Sequence, residues 1–166
     1  DDVSFELEPG EIVALVGESG SGKSTIARLL ARVYRPTAGE IYFDGKPVSS
    51  LRSRQRRLAY ASDVAMVFQD PYSSINPAYR VTHPIQRGIV LHRRDVERRK
   101  REAEVQRSLA EVGLLPSTQV AAKFPHELSG GQRQRVGFAS ALAVKPKLIV
   151  ADEPVSMLDV SVRAGI

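Results

Sequence analysis

A glycine-rich segment at residues 17–25 constrains the fold of this chain more than any other feature. A short apolar run at residues 12–16 precedes it, and apolar residues recur at helical spacing after it. The segment consists of Gly17, Glu18, Ser19, Gly20, Ser21, Gly22, Lys23, Ser24 and Thr25. The recurring apolar residues are Ile26, Leu29, Leu30 and Val33, and Pro36 with Gly39 ends that pattern. This context predicts a buried strand, a loop and a helix, and therefore an α/β fold.

Strand, glycine loop and helix in this order form the phosphate-binding loop (P-loop) pattern. Glycines let successive backbone N–H groups turn inward around phosphate oxygens, and the following helix presents its positive end. Lys23 adds a point charge, and Ser24 offers a hydroxyl to Mg²⁺. A chance match is expected in about 1% or less of chains of this length. We therefore predict a phosphate site at residues 17–25.

Other periodic segments predict further strands and a hairpin. Residues 3–7 alternate apolar and polar side chains as a half-buried strand does, and Pro9-Gly10 turns the chain towards residues 12–16. Residues 40–48 predict a hairpin, because Asp44-Gly45 favours the positive φ angles of a two-residue turn. Short apolar runs predict strands at residues 64–68 and 148–151.

Helical patterns lie mainly between those last two strands. A loop rich in Pro, Ser and Asn occupies residues 70–77, and charged and apolar residues then mix at helical period from 81 to 112. A second helix is predicted from Gly131 to Ala143, and another begins at Val160. These segments predict a helical subdomain inserted into the α/β core.

Two neighbouring carboxylates, Asp152 and Glu153, come directly after the predicted strand at residues 148–151. In an open parallel sheet, ligands bind at the carboxyl ends of strands, so Asp152 is expected beside the phosphate loop. A carboxylate there can hold Mg²⁺ through water, and Glu153 can orient or deprotonate an attacking water. The alternative is that both residues only end the strand and cap the next segment of the chain.

Composition and charge limit the other possibilities. The net charge is +5, but much of the basic excess lies in two clusters, residues 52–57 and 93–101, that suit solvated helix faces. No aromatic residue interleaves the second cluster, so we expect no nucleic acid partner. No apolar run approaches the roughly 20 residues of a membrane-spanning helix. The chain has no cysteine, which excludes disulfides and fits the cytoplasm.

Residues 128–132, with the sequence LSGGQ, resemble the signature motif of ATP-binding cassette (ABC) proteins. The phosphate loop, Gln69, the Asp152-Glu153 pair and residues 156–159 (SMLD) occur in the order of that family. The segment FQDPYSSINPAYRVT further resembles the subgroup that energises import of oligopeptides, dipeptides and related solutes such as nickel. The resemblance covers essentially the whole chain.

This resemblance implies a fold and its division. It implies one ABC ATPase domain over residues 1–166, with a P-loop NTPase core, a mostly parallel sheet and a small antiparallel part. The nucleotide-binding core is expected at residues 1–69 and 138–166. The inserted helical subdomain, which carries the signature, is expected at residues 70–137.

The resemblance also implies roles for individual residues. Glu153 and Gln69 are the implied catalytic residues, and Ser24, Gln69 and Asp152 the implied Mg²⁺ ligands. Implied contacts with the ATP of a partner subunit come from Ser129, Gly130, Gly131 and Gln132. Asp159 is the implied loop carboxylate at the dimer interface. Without the resemblance, Gln69 is typical of a surface glutamine, and Ser129 and Asp159 are typical of helix caps.

The implied cofactors are ATP and Mg²⁺, and the implied activity is ATP hydrolysis that energises an importer. The implied partners are a second nucleotide-binding subunit, two transmembrane permease subunits and, indirectly, a solute-binding protein. The subunit is expected in the cytoplasm, at the inner face of the cell membrane. A clamp acting on DNA or the ribosome is the alternative, and the short, cysteine-free interval from Gly22 to Ser129 disfavours it.

Two features of the family pattern have no match in this sequence. Family members place an adenine-stacking aromatic residue upstream of the first strands and a γ-phosphate-contacting histidine one strand beyond Asp159. Phe5 lies too close to Gly17, and His126 precedes the signature, so neither residue fits. We therefore expect the chain to lack both ends of the family domain, which leaves an inactive fragment as a further alternative.

Overall fold

A computed structural model of the chain describes residues 3–70 and 75–154. Helices occupy most of its second half, between two strands that pair with each other. The helices are α1 (Lys23–Leu30), α2 (Arg54–Asp63), α3 (Thr82–His92), α4 (Arg101–Glu111), α5 (Ser117–Ala122) and α6 (Gly130–Ala143). The strands are β1 (Tyr42–Phe43), β2 (Lys46–Pro47), β3 (Val64–Val67) and β4 (Leu148–Ala151). Short 3₁₀ turns lie at Val48–Ser50, Arg98–Lys100 and Pro125–Glu127.

Strands β3 and β4 form a parallel pair, with Val64 opposite Leu148 and Val67 opposite Ala151. Both strands were expected from their apolar runs, and the prediction is confirmed. A parallel pair needs a crossover connection, and helices α3 to α6 provide it here. The register brings the carboxyl ends of β3 and β4 side by side, which positions the residues that come after each strand.

Strands β1 and β2 form the predicted antiparallel hairpin. Tyr42 lies opposite Pro47 and Phe43 opposite Lys46, so Asp44 and Gly45 make a two-residue turn. Their φ angles are 49° and 69°, and a type I′ turn requires positive values at both central positions. The Asp-Gly sequence therefore determines the register of this hairpin.

The largest apolar cluster lies among helices α3 to α6. Its fully buried members include Val81, Ile85, Ile89, Leu109, Val136 and Ala139. A second cluster joins Ala141 of α6 and Val144 to Ala65 and Val67 of β3, and Phe138 packs against it. Helix α6 thus continues across residue 137, the predicted boundary between the helical subdomain and the core. Its Val136 and Ala139 pack against the other helices, whereas its Phe138 and Ala141 pack against β3.

The strands predicted at residues 3–7 and 12–16 are not strands in this structure. Among the described residues before Lys23, none lies in a helix or a strand. Ile12 and Val16 are 96% and 93% exposed. An apolar run shows a preference for burial, but a strand also needs a neighbour for its backbone hydrogen bonds. No described segment pairs with residues 12–16.

Helix α1 ends one turn earlier than its apolar pattern predicted. Val33 was expected on the helix, but the helix ends at Leu30 and Val33 is 53% exposed. Arg32 adopts a left-handed conformation with φ 57°. The amide of Arg32 donates to Leu29 O, and the amide of Val33 donates to Arg28 O. This is a Schellman ending, with arginine where glycine is usual.

Some predictions fall outside the described residues. They are the helix from Val160, the role of Asp159 and residues 71–74 of the predicted loop. Within the described ranges, no helix combines the length and apolar character required to cross a bilayer.

The helical cluster predicts unequal effects for two neighbouring apolar side chains on α3. Ile89 is completely buried, whereas Leu91 is 43% exposed. We expect Ile89→Ala to lower the free energy of unfolding by about 2–5 kcal/mol, because it leaves a cavity. Leu91→Ala, the control on the same helix, should lower it by less than about 1 kcal/mol. Urea denaturation followed by circular dichroism measures both, and equal losses would contradict this packing.

Candidate active site

Glycine is required at several positions of the loop before α1. Gly20 and Gly22 have φ angles of 83° and 99°, which side-chain-bearing residues rarely adopt. At Gly17 the constraint is space, because a Cβ atom there would lie 2.8 Å from the Ser21 hydroxyl. The loop is therefore a backbone turn that leads directly into the first turn of α1, as the phosphate-binding pattern requires.

The side chain of Lys23 folds back over this loop. Its Nζ donates to the carbonyl oxygens of Gly17 and Glu18, at 2.8 Å in both cases. An ammonium group has three donors, so these two bonds hold the charge at the loop and leave one donor for an anion. The first residue of α1 thereby places a positive charge beside the amides of the turn.

Ser24 connects the loop to the end of β4. Its hydroxyl donates to Oδ1 of Asp152 over 2.6 Å, and Asp152 is only 4% exposed. The Asp152 amide donates to Val67 O at 2.9 Å, which continues the β3–β4 pairing by one residue. A buried carboxylate and a helix N-terminal hydroxyl therefore meet at the carboxyl end of the parallel strands.

Glu153 and Gln69 form a second pair at the same end. Gln69 lies two residues beyond β3, and its Nε2 donates to Oε2 of Glu153 at 2.8 Å. Glu153 has a φ angle of 42°, an uncommon value for a residue with a side chain. Such conformations occur preferentially at functional sites, where the surrounding structure holds them. Here the turn directs Glu153 outward, and Gln69 restrains its carboxylate.

The signature residues begin α6. Ser129 is the N-cap, and its hydroxyl accepts from the Gln132 amide at 3.2 Å. The Gln132 side chain in turn accepts from the Ser129 amide at 3.1 Å, which completes a capping box. Gly130 and Gly131 occupy the first helical positions, whose amides have no acceptor within a helix. The predicted helix terminus is present and starts at Gly130, one residue earlier than expected.

The structure thus brings Lys23, Ser24, Gln69, Asp152 and Glu153 to one end of the β3–β4 pair. The signature residues lie at the start of α6, and Asp159 is outside the described residues. The expected position of Asp152 beside the phosphate loop is confirmed by its contact with Ser24, but sequence reasoning predicted neither this hydrogen bond nor that between Gln69 and Glu153, whose partners are 128 and 84 residues apart. No local pattern indicates contacts of this kind, and neither does any indicate the left-handed backbone of Glu153.

The residues at this end offer a hydroxyl, a carboxylate and an amide to a divalent cation. Within residues 3–70 and 75–154, no group of three or more His, Cys, Asp and Glu side chains could hold a metal ion. Mg²⁺ commonly takes only one or two carboxylates and completes its coordination with water and phosphate oxygens. The donor set of Ser24, Gln69 and Asp152 therefore fits Mg²⁺ in the company of a phosphate ligand.

A glycine loop opening a helix, beside acidic residues at the end of a parallel strand, defines the class of P-loop nucleoside triphosphatases. Within this class, the chain belongs to the ABC transporter family, whose model matches residues 1–156. The fold predicted from the sequence, an α/β P-loop domain of the ABC type, is thereby confirmed.

Two relatives illustrate the similarity in sequence. The oligopeptide transport ATP-binding protein OppF of Bacillus subtilis (strain 168) is 46% identical, over 100% of this chain and 54% of its own length. The dipeptide transport ATP-binding protein DppF of Lactococcus lactis subsp. cremoris (strain MG1363) is 46% identical, over 99% of this chain and 52% of its own length. The chain thus spans about half the length of these relatives.

Solved structures show the same fold. A dimeric post-hydrolysis state of the ATP-binding cassette MJ0796, bound to ADP and Pi, has a TM-score of 0.84 and is 30% identical. That comparison covers 98% of this chain and 68% of the other. CbiO1 from Clostridium perfringens, part of the cbiONQ ABC transporter complex, has a TM-score of 0.80 at 29% identity, covering 96% and 61% of the two chains.

The capping box predicts a measurable role for Ser129 in stability. Ser129→Ala removes the acceptor of the Gln132 amide and should lower the free energy of unfolding by about 1 kcal/mol. Ser62→Ala is the control, since the exposed Ser62 hydroxyl only donates back to Ala59 O within α2. The control should change stability by less than about 0.5 kcal/mol. Chemical denaturation that finds the two variants equally stable would contradict the cap.

Proposed function

We propose that this chain is the ATP-binding and ATP-hydrolysing part of a subunit that energises an ABC importer of peptides or related small solutes. The observation that supports the proposal most is the joining of the phosphate loop to the acidic pair. Ser24 contacts Asp152, and Gln69 contacts the neighbouring Glu153. The loop proposed to bind phosphates therefore lies next to Asp152, the proposed ligand of a cation, and Glu153, which is proposed to act on water.

In this proposal, residues 17–25 bind the phosphates of ATP. Backbone amides of the loop donate to the phosphate oxygens, and Lys23 places its ammonium beside them. Ser24, Asp152 and Gln69 hold Mg²⁺, which, when bound, neutralises charge that develops on the phosphate oxygens. The Ser24–Asp152 hydrogen bond keeps these two ligands together in the absence of the cation.

Glu153 is proposed to act on the attacking water. Its carboxylate orients the water and accepts its proton as the water oxygen bonds to the γ-phosphorus. The bond to the bridging oxygen breaks, and the products are ADP and phosphate. Gln69 positions Glu153 through their hydrogen bond, which limits the directions that this exposed carboxylate can take. Positioning and electrostatics supply most of the catalysis in such reactions.

The signature residues are proposed to serve the ATP of a second nucleotide-binding subunit. Ser129, Gly130, Gly131 and Gln132 form a helix N-terminus whose dipole favours an anion. Two subunits that pair head to tail would place each such terminus opposite the phosphate loop of the other. Asp159 is proposed to lie at the same interface.

The proposed assembly includes two transmembrane permease subunits and, indirectly, a solute-binding protein. The subunit would lie in the cytoplasm, on the inner face of the membrane. The proposed nucleotide-binding core comprises residues 1–69 and 138–166, and the helical subdomain comprises residues 70–137. The names of the relatives, which describe oligopeptide and dipeptide transport ATP-binding proteins, favour peptides as solutes.

Removal of the loop ammonium should weaken ATP binding. We expect Lys23→Ala to weaken the binding of Mg·ATP by at least about tenfold, because a charge-assisted bond to phosphate is lost. Lys100→Ala is the matched control, since Lys100 is exposed and, among the described residues, forms an ion pair only with Glu97, at 3.8 Å. Titration with a fluorescent ATP analogue measures both variants. Unchanged affinity in Lys23→Ala would contradict the phosphate site.

Glu153→Gln should separate binding from hydrolysis. The amide cannot accept a proton, so we expect ATP hydrolysis to fall by about 10²- to 10⁴-fold while Mg·ATP still binds. Glu111→Gln, an exposed substitution on α4, is the control and should keep the parental rate. Phosphate release by the full-length subunit and peptide uptake by the reconstituted importer provide the readouts. Uptake that is unaffected by Glu153→Gln would contradict the proposed coupling.

A further inference from the structure

A cavity of about 450 Å³ lies at the other end of α1 from the phosphate loop. Its lining comes from the end of α1, the segment directly after it, residues 48–52 and the first half of α2. Four of the lining residues are arginines, namely Arg32, Arg35, Arg52 and Arg57. Arginines from three separate parts of the chain, namely the segment after α1, the segment before α2 and α2 itself, thus line one concave surface.

Acidic residues neutralise this surface only in part. Residues 28–62 contain eight basic residues and two acidic ones. One of the two, Asp44, pairs with Lys147 instead. The other, Glu40, lines the cavity, but its carboxylate accepts from the Ser49 hydroxyl at 2.6 Å and from the amides of Ile41 and Ser49. The Ser49 hydroxyl lowers the pKa of Glu40, so this carboxylate stays ionised and offsets one of the four guanidinium charges.

The four arginines, in contrast, have no carboxylate partner within salt-bridge distance among the described residues. The ion pairs that join two described residues lie elsewhere, within residues 93–111 and between Asp44 and Lys147. A large cavity bordered by unpaired guanidinium groups is suited to an anionic ligand, since guanidinium binds phosphate through two parallel hydrogen bonds. Its volume is in the range of small-molecule sites.

Arg32 is held in place by an unusual backbone. It occupies the left-handed position that ends α1, with φ 57°, where glycine would be unstrained. Its Nη2 donates to Leu51 O at 3.1 Å, which fixes the guanidinium between α1 and the segment before α2. A guanidinium has five donors, so this bond leaves most of them for a ligand.

This cavity is separate from the proposed ATP site. Helix α1 runs from Lys23 to Leu30, and a helical rise of about 1.5 Å per residue puts roughly 10 Å between its two ends. An anion in the cavity would also lie at the negative end of the α1 dipole, so its binding depends on the arginines and not on the helix.

We propose that this arginine-lined cavity is a second anion site, which takes a phosphate-bearing group. The group belongs to a small phosphorylated molecule or to the headgroup of an anionic lipid, since both present the same phosphate oxygens to Arg35, Arg52 and Arg57. The proposal is independent of ATP hydrolysis and of the proposed transport function.

Calorimetric titration with inorganic tripolyphosphate at about 0.15 M salt tests the site, with all proteins carrying Lys23→Ala so that the phosphate loop does not contribute. We expect the triple variant Arg35→Gln, Arg52→Gln, Arg57→Gln to bind at least about tenfold more weakly. All three residues are exposed, so the fold should persist. The matched control, Arg98→Gln, Arg99→Gln, Lys100→Gln, removes equal charge from the other basic cluster and should stay within about twofold.

Co-sedimentation with phosphatidylcholine vesicles, with and without phosphatidic acid, identifies the source of the phosphate. Retention on phosphatidic acid that the arginine triple variant loses supports a lipid headgroup, and tripolyphosphate binding alone supports a soluble ligand. Arg32→Gly relieves the left-handed backbone, so it should remain folded while binding more weakly. The proposal is overturned if neither probe binds, or if the two triple variants lose binding equally.

Discussion

The parallel pairing of β3 with β4 is the interaction on which the candidate site depends. It places Gln69 and the Asp152-Glu153 pair at one end, because parallel strands present their carboxyl ends on the same side. The Asp152 amide extends this pairing through Val67 O, and the buried Asp152 carboxylate then receives the Ser24 hydroxyl. A shift of register between the strands would separate these groups even if each element remained folded.

The two carboxylates of the candidate site, those of Asp152 and Glu153, differ in how firmly the structure holds them. Asp152 is buried and held by a strand-like backbone bond, so its carboxylate has a fixed position. Glu153 is exposed and has a left-handed backbone, and only side-chain contacts such as that with Gln69 limit its direction. A cation site benefits from fixed ligands, whereas a group that exchanges protons with water has to remain accessible. In the proposed mechanism Asp152 would hold the cation and Glu153 would exchange protons with water, and the different backbones of these adjacent residues suit the two roles.

The elements that the sequence predicted correctly carry local signals. Asp44-Gly45 determines a turn, the run at residues 148–151 is bounded and apolar, and Ser129 precedes Gln132 by the spacing of a capping box. The incorrect predictions needed information that a local pattern lacks. The run at residues 12–16 has the composition of a strand but no described neighbour to pair with, and α1 ends at Leu30 because the chain turns back at Arg32. The hydrogen bonds of Ser24 and Gln69 depend on the strand pairing, so only the fold reveals them.

The distance along the chain between Ser24 and Asp152 has a consequence during synthesis. The two residues are 128 positions apart, and a ribosome adds about 5–20 residues per second. The loop and α1 therefore leave the ribosome several seconds before the carboxylate that completes the site exists. Throughout that interval the nascent chain has the glycine-rich turn without the Asp152 carboxylate, so the proposed binding of Mg·ATP through both groups would begin only late in translation.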